Sequence, residues 1–517
     1  MNVIITLAGH SLRFKEAGLK TPKFLISIDG KPMIEHVINM FDYSDTFHFV
    51  LNEDQLLDNP SIKTYLASLS AKTTITVIKS HNIGPTYSAL QVEEIPDDEE
   101  VIVSYCDFTV NWDYELFKRT VHGYDGAIPS FQGFHPASFG DTYYAYLKIN
   151  NNYELVKLRE KKSFTNKRHK EHASVGIYYF ANWKVFQKYS KIVLDTYKDS
   201  LQEAYTSLHY NHMVEDDLKI KVFKVENFIC WGTPDDLNQY TFWSNYFNKN
   251  KNIQSPIKKN NLQINIIPMA GEGSRFRQYG YRLSKPLIPV GNEPMVLTSC
   301  KSFPSASKWV FLPKEKDYIK YPIDDALNSF NNKIIPVNRH TSGQAATCLI
   351  AKKEISLDNP LFIASCDYKT LYSFDKWEEI IKDKSIDGAI WTYRLKSFLT
   401  KDPKAFAYCK TYKNSLFVSE VVEKDVISNN PSEDPMVIGS FWFRRGSDFI
   451  FSANYTIEND LTINGEHYIG NSINILLEKG KKFVCFDVDA WISFGDPFEL
   501  KVYEYWENYF NNYLKWN

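Results

Sequence analysis

Residues 7–33 of this chain read LAGHSLRFKEAGLKTPKFLISIDGKPM, and residues 269–295 read MAGEGSRFRQYGYRLSKPLIPVGNEPM, the same pattern 262 positions later. Gly9 falls on Gly271, Arg13 on Arg275, Phe14 on Phe276, Gly18 on Gly280, Lys23 on Lys285 and Pro32-Met33 on Pro294-Met295. The match continues through His81-Asn82-Ile83-Gly84 and His340-Thr341-Ser342-Gly343, Cys106-Asp107 and Cys366-Asp367, and Asp125-Gly126-Ala127-Ile128 and Asp387-Gly388-Ala389-Ile390. It then runs through Ala145-Tyr146 and Ala407-Tyr408, Glu160-Lys161 and Glu423-Lys424, Gly176 and Gly439, and Gly232-Thr233-Pro234 and Gly495-Asp496-Pro497. The offset stays between 259 and 263 throughout. Collinearity of that length is the mark of a duplication, so whatever fold one half adopts, the other must adopt too.

A length of 517 residues fits two domains of about 250 residues each. The lysine- and asparagine-rich stretch Asn248–Asn261 is poor in apolar residues and contains a proline, as an exposed connection should. The expected division is residues 1–247, a linker over 248–262, and residues 263–517. Hydrophobic residues make up 44% of the chain, enough for two cores, and a net charge of −2 gives no basic face for nucleic acid. No apolar run approaches the ~18 residues of a membrane span, and the chain begins at Met1 without a signal-peptide pattern. Seven cysteines without metal-ligand spacing point to a reducing, cytoplasmic setting. Self-association into a homo-oligomer is left open.

Within each half, short apolar runs alternate with helical stretches. Val3–Leu7, Thr46–Leu51, Thr74–Ile78 and Val101–Tyr105 are expected to be buried strands, and Pro32–Phe41 a helix with proline near its start. Such alternation predicts an α/β fold: two tandem three-layer α/β/α sandwiches with mainly parallel, Rossmann-like sheets. In these open sheets ligands collect at the carboxyl ends of the strands. The glycine loop and the Cys-Asp pairs would both lie there.

A glycine turn after a strand lets backbone N–H groups approach phosphate oxygens that a Cβ would fend off. Arg275 and Lys285, like Arg13 and Lys23, would add cationic donors for a polyphosphate. Asp107 and Asp367 each end an apolar strand, where a carboxylate is costly unless it is paired or binds a cation. A helix N-cap is the ordinary role for such an acid. Sharing a strand-end surface with a phosphate loop favours Mg²⁺, which takes one or two carboxylates beside waters and phosphate oxygens. Cys106 and Cys366 read as small buried neighbours, because no basic partner marks them as nucleophiles.

MAGEGSRF followed by KPLIPVGNEPM resembles the sugar-phosphate nucleotidyltransferases, also called nucleoside-diphosphate-sugar pyrophosphorylases, and the resemblance spans each half almost end to end. It implies a GT-A-type sheet and transfer of a nucleoside monophosphate from a nucleoside triphosphate to a sugar or related alcohol phosphate, with release of pyrophosphate. It implies that Ala270, Gly271, Gly273 and Ser274, and in the first half Ala8, Gly9 and Ser11, hold the triphosphate with Arg275, Lys285, Arg13 and Lys23. Gly343 with Gln344, and Gly84, would lie against the base. Glu423, Lys424 and Gly439, and Glu160, Lys161 and Gly176, would border the acceptor, with Asp367 and Asp107 on Mg²⁺. A role in surface-polysaccharide precursor synthesis comes with the family.

The sequence also departs from the family. Ser11 and Leu12 replace the second glycine and the small hydroxyl residue, and Ser284 stands where a proline precedes the lysine. Cys230 and Ser493 occupy the place of a later metal-binding aspartate, so metal binding rests on Asp107 or Asp367 with phosphates, or on a borrowed acid such as Asp487 or Asp489. The intact loop makes the second half the better-equipped catalyst. Three alternatives stand beside this reading. One is a glycosyltransferase of related fold, for which Asp487-Val488-Asp489 would be the D-x-D metal motif. Another is a nucleotide-sugar-binding module with one or both halves inactive. The third is a nucleotidyltransferase for molybdopterin-type or amino-alcohol acceptors. Pro85-Thr86 against Gln344-Ala345 points to different base pockets in the two halves.

Overall fold

The computed structural model describes residues 1–136, 143–200, 202–249, 262–396 and 402–512. Most of the expected linker, 250–261, lies outside the described residues. By its contacts the chain divides into two compact units, Met1–Asn245 with Asn508–Asn517, and Tyr246–Glu507.

The first unit is built on a ten-stranded sheet. One half of it is parallel: Val101–Ser104, Asn2–Thr6, Thr46–Asn52 and Thr73–Ile78 lie side by side, with Asn2 opposite both Thr46 and Val101. Beyond Val101–Ser104 the pairing turns antiparallel, through Ile177–Phe180, Gly126–Phe131, His172–Ser174, Ala145–Ile149 and Leu155–Glu160. Ile220–Lys224 adds a parallel strand to Gly126–Phe131. Apolar residues cover both faces. Val3, Ile5 and Leu7 pack into one core, while Ile4, Val101 and Val103 pack into the other. Burial on both faces is why these strands read as continuous apolar runs, and helices on each side complete the three layers.

The second unit repeats the plan with nine strands. Asn332–Ile334, Lys308–Pro313, Ile264–Met269 and Leu361–Ala364 run parallel, followed by antiparallel Pro435–Phe443 and Gly388–Arg394. Where the first unit breaks into His172–Ser174 and Ile177–Phe180, the second keeps one long strand, Pro435–Phe443, so it counts one strand fewer. Its two cores divide by the same alternation, with Ile267 and Phe362 on one face and Ile266 and Ile363 on the other.

The expected strands all form within a residue or two of their expected ends, as Asn2–Thr6, Thr46–Asn52, Thr73–Ile78 and Val101–Ser104. The helix expected over Pro32–Phe41 is shorter, Met33–Ile38, and Pro32 serves as its N-cap. Several repeat anchors turn out to be scaffold. The Asp125 carboxylate accepts from the Lys219 backbone N–H at 2.8 Å and that of Asp387 from Lys482 at 2.9 Å, each tying two strand starts together. No helix among the described residues is long and apolar enough to cross a membrane.

A two-stranded ribbon beside each sheet positions the site. Phe108–Asn111 pairs with Asn227–Cys230, and Tyr368–Leu371 with Ala490–Ser493. The backbone N–H of Trp231 donates to the Asp107 carbonyl, and that of Phe494 to Asp367, each at 2.7 Å. The chain returning from the far side is thereby laid against the strand-end aspartate.

Candidate active sites

The two glycines of the loop do different jobs. Gly9 and Gly271 have nothing within 4 Å of the point a Cβ would occupy, so their lack of a side chain keeps the backbone open to a ligand. Gly273 adopts φ +60° as the N-cap of Ser274–Gln278, and a Cβ there would lie 3.3 Å from Lys285 Cβ. Ser11 takes the same left-handed conformation at φ 54°, so the first half keeps the loop's course at the cost of a strained serine. Leu12 is 63% exposed and carries no packing role that would explain it. Ser284 has nearly the backbone angles of Pro22 (φ −59°, ψ 140° against φ −50°, ψ 136°), and its hydroxyl is anchored on Asp317 at 2.8 Å. The extended approach to the lysine is therefore kept without the proline.

Each lysine is paired with its strand-end aspartate: Lys23 Nζ lies 2.5 Å from Asp107 Oδ2 and Lys285 Nζ 2.6 Å from Asp367 Oδ2. Burial opposes both ammonium charges, but the facing carboxylate outweighs it and holds each lysine above its ordinary pKa. Burial pushes the neighbouring Cys106 and Cys366 thiols up to about 12, which leaves them inert as nucleophiles.

In the first half the loop, the cations and the aspartate line one cleft with two lobes. A cavity of about 460 Å³ is bordered by Ala8, Gly9, Ser11, Arg13, Lys23, His81, Gly84, Asp107 and Glu203. A second, of about 270 Å³, is bordered by Glu160, Lys161, Gly176, Tyr144, Tyr178 and Phe228. Arg13, Tyr105, Asp107, Tyr205 and Gly232 border both lobes. In the second half a cavity of about 670 Å³ is bordered by Ala270, Gly271, Gly343, Gln344, Ser365, Glu466 and Tyr468. Gly273, Ser274, Arg275 and Lys285 are not on its wall. Asp367, Glu423, Lys424 and Gly439 are not on it either; Lys285 is paired with Asp367 at 2.6 Å, while Arg275 is 74% exposed and 4.0 Å from Asp496.

Gly84 and Gly343 are forced by packing. Gly84 (φ +126°) and Gly343 (φ +114°) each press against a backbone that a Cβ would meet at 2.6 Å, at Ala204 and His467 respectively. The sequence reading passed over these segments, Glu203-Ala204-Tyr205 and Glu466-His467-Tyr468, although the Glu-x-Tyr pattern recurs at the same offset of 263 as its neighbours.

The surroundings of Glu160 and Glu423 differ in one respect between the halves. The hydroxyl of Ser207 donates to Glu160 at 2.5 Å, whereas Gly470 stands at the equivalent place beside Glu423. Burial raises both carboxyls. Ser207 restrains Glu160, while Glu423, opposed only by Lys424, is pushed up to about 7. The larger cavities of the two halves differ more. Lys314, Lys316 and Arg339 border the second cavity, and Glu272 is held at about 2 by hydrogen bonds from Lys314 and Arg277. Asn52, the helix cap equivalent to Lys314, instead donates its side chain to the Ala8 carbonyl.

As to a metal, no group of three or more His, Cys, Asp or Glu side chains is gathered for one among the described residues. Mg²⁺ needs fewer when phosphates supply the rest. In each half a second carboxylate faces the same point as the first. Asp107 Oδ2 and Asp236 Oδ2 lie 3.4 and 3.9 Å from the Cβ position above Gly232; Asp367 Oδ2 and Glu499 Oε2 lie 3.8 and 3.2 Å from that above Gly495. Asp236 and Glu499 are also held locally. Thr233 and Asp236 exchange backbone-to-side-chain bonds, as do Asp496 and Glu499, closing a capping box at each helix start. Cys230 and Ser493, at the place of the missing family aspartate, lie against these acids, Ser493 donating to Glu499 at 2.6 Å and Cys230 3.7 Å from Asp236. Asp487 is taken up elsewhere, by Thr392 and by Arg394 at 3.2 Å, which leaves the D-x-D reading without a free first carboxylate. One strand-end aspartate with a neighbouring acid and an open phosphate loop fits Mg²⁺.

No family model and no curated protein matches the sequence. Solved structures do. A nucleoside-diphosphate-sugar pyrophosphorylase from Vibrio cholerae RC9 is similar at 19% identity and a TM-score of 0.39, over 46% of this chain and 98% of its own. The inositol-1-phosphate CTP transferase from T. maritima is similar at 13% identity and a TM-score of 0.37, over 49% of this chain and 98% of its own.

Proposed function

We propose that the chain is a nucleotidyltransferase with one site in each half. Each site transfers a nucleoside monophosphate from a nucleoside triphosphate to a sugar phosphate or related alcohol phosphate and releases pyrophosphate. The observation that carries this reading is the first-half cleft, where Arg13 and Asp107 form the wall between a glycine-loop lobe and a Glu160-Lys161 lobe.

A phosphate oxygen of the acceptor attacks the α-phosphorus. The new O–P bond forms as the bond from the α-phosphorus to the bridging oxygen breaks, and pyrophosphate leaves with the electron pair. No residue need form a covalent bond, so alignment and charge neutralisation supply the catalysis. The glycine-loop backbone cradles the triphosphate. Lys23 or Lys285, with Arg13 or Arg275, meets the charge that builds up as pyrophosphate departs. Asp107 and Asp367, with Asp236 and Glu499 beside them, would hold Mg²⁺, which supplies further neutralisation of the phosphates. Glu160-Lys161 and Glu423-Lys424 receive the acceptor.

The two larger cavities are lined differently beside the tight glycine, by Pro85 in the first half and Gln344 in the second, so the reading extends to a bifunctional enzyme making two activated sugars or alcohols, in the cytoplasm, for surface polysaccharide. The test is pyrophosphate release from ATP, CTP, GTP, UTP and dTTP crossed with sugar and polyol phosphates, run in parallel for Asp107→Ala and Asp367→Ala. Two activities that separate between the variants support two sites. No release from any pair, with nucleotide sugars still bound, moves the reading to a binding module.

A further inference from the structure

The acceptor-side lysines share an unusual setting. Lys161 and Lys424 both adopt the left-handed backbone region, at φ 56° and 58°, which lysine rarely enters. In each case the backbone N–H is anchored on the strand opposite, Lys161 to the Tyr144 carbonyl at 3.1 Å and Lys424 to that of Phe406 at 2.9 Å. In each case the ammonium lies over a tyrosine ring. Lys161 Nζ is 5.1 Å from the centroid of Tyr205 and Lys424 Nζ 5.5 Å from that of Tyr468. Side chains around the pair have changed since the duplication, Tyr144 to Phe406 and Ser207 to Gly470 among them. The lysine–tyrosine arrangement has not.

The tyrosine is itself held from the nucleotide side. Ala204, the residue before Tyr205, donates to the Ile83 carbonyl at 2.8 Å and accepts from Thr86 N–H at 3.1 Å. His467 does the same with Ser342, at 2.6 Å, and with Ala345, at 3.1 Å. Two backbone bonds thus clamp each Glu-x-Tyr segment across Gly84 or Gly343. Tyr205 then borders both lobes of the first cleft.

We infer that Tyr205 and Tyr468 are positioning residues that hold the acceptor lysines Lys161 and Lys424 through their ring faces, and that the Glu-x-Tyr clamp ties this hold to the base-side glycine. The inference rests on the acceptor role proposed above for the two lysines. A cation over an aromatic face is held by the ring quadrupole, which tyrosine and phenylalanine both supply and an aliphatic side chain does not. A lysine so held meets an anionic acceptor with fewer rotamers to lose.

The test uses full-length protein with one half silenced, Asp367→Ala when Tyr205 is probed and Asp107→Ala when Tyr468 is probed. Tyr205→Leu should raise the acceptor KM about five- to ten-fold. Tyr205→Phe should restore it, because the ring face remains. In the double variant, Tyr205→Leu should add nothing to the effect of Lys161→Ala, since the tyrosine acts through the lysine. The same directions are expected for Tyr468 and Lys424, with a smaller rise in KM, because the Lys424 ammonium also donates to the Ala405 carbonyl at 2.6 Å. A phenylalanine variant as impaired as the leucine variant, or fully additive effects of the two truncations, would overturn the positioning role. Should the leucine variant misfold, the phenylalanine variant and the Lys161→Ala cycle with Tyr205→Met still decide it. Pyrophosphate release with no response at the tyrosines sinks the positioning role alone. If the unsubstituted chain neither releases pyrophosphate nor binds glucose 1-phosphate by calorimetry, the function beneath it falls as well.

Discussion

Lys285 Nζ lies 2.6 Å from Asp367 Oδ2, and the first half repeats the pair with Lys23 and Asp107 at 2.5 Å. Each pair joins the 3-10 turn that follows the glycine loop to the end of a strand more than eighty residues later. Under the proposed function, a lysine held by this carboxylate would be in place before any nucleotide arrives. Lys285→Ala should therefore lower second-half turnover by about two to three orders of magnitude, as removal of one preorganised donor does elsewhere. Circular dichroism should show the fold retained. Unchanged turnover would refute the role.

Asp367→Asn keeps the shape of the side chain and removes its charge. If this carboxylate holds the cation, half-saturation by Mg²⁺ should shift upward by at least about ten-fold in the second half and stay put in the first. Mn²⁺ binding followed by electron paramagnetic resonance reads the same loss without turnover. Equal metal affinity in the variant and the unsubstituted chain would remove Asp367 from the metal site.

The repeat made the fold legible from sequence, and in the first half it also picked out Gly9, Arg13, Lys23 and Asp107, which line one cavity. Strands buried on both faces show as unbroken apolar runs, and a glycine loop with Arg and Lys at fixed spacing marks the phosphate end. What the sequence hid were contacts made by chain returning from far away. Glu203-Ala204-Tyr205 meets Gly84 across about 120 positions, and no local periodicity announces such an approach. Glu499 and Asp236 looked like ordinary helix-start acids, and they do form capping boxes. Only the ribbon pairing that brings Ser493 and Cys230 beside them places them near the aspartates. Asp487 shows the converse case, a motif visible in sequence whose carboxylate is bound to Arg394.

Gly343 and Gly271 make a clean pair for testing what each glycine does. At Gly343 a Cβ would meet the His467 backbone at 2.6 Å, in a conformation (φ +114°) that side chains avoid. At Gly271 it would meet nothing within 4 Å. Gly343→Ala should cost about 2 kcal/mol or more, a fall of roughly 4–8 °C in Tm. Gly271→Ala should melt close to the unsubstituted chain yet bind nucleoside triphosphate more weakly, because the added methyl faces the ligand. Thermal melts and nucleotide titrations of both variants check the contrast. Equal melting losses would show that the loop glycine is structural after all.

Ser207 offers a pH test of the acceptor side. Its hydroxyl donates to Glu160 at 2.5 Å and opposes the upward push that burial gives the carboxyl. Ser207→Ala removes that restraint, so Glu160 should keep its proton to higher pH. If the ionised carboxylate receives the acceptor, the rising limb of kcat/KM against pH should move upward in the first half. It should move toward the second half, where Gly470 takes the serine's place and Glu423 titrates at about 7. Stability follows with a definite sign. A carboxyl raised above its unfolded value of 4.5 holds its proton longer in the folded state. For Glu160 that contribution is therefore complete below the unfolded value of 4.5 and is lost as pH climbs through the raised folded value. The Ser207→Ala variant should accordingly lose more stability at pH 8 than at pH 5. An unmoved kcat/KM profile would mean that the ionised form of Glu160 takes no part in binding the acceptor.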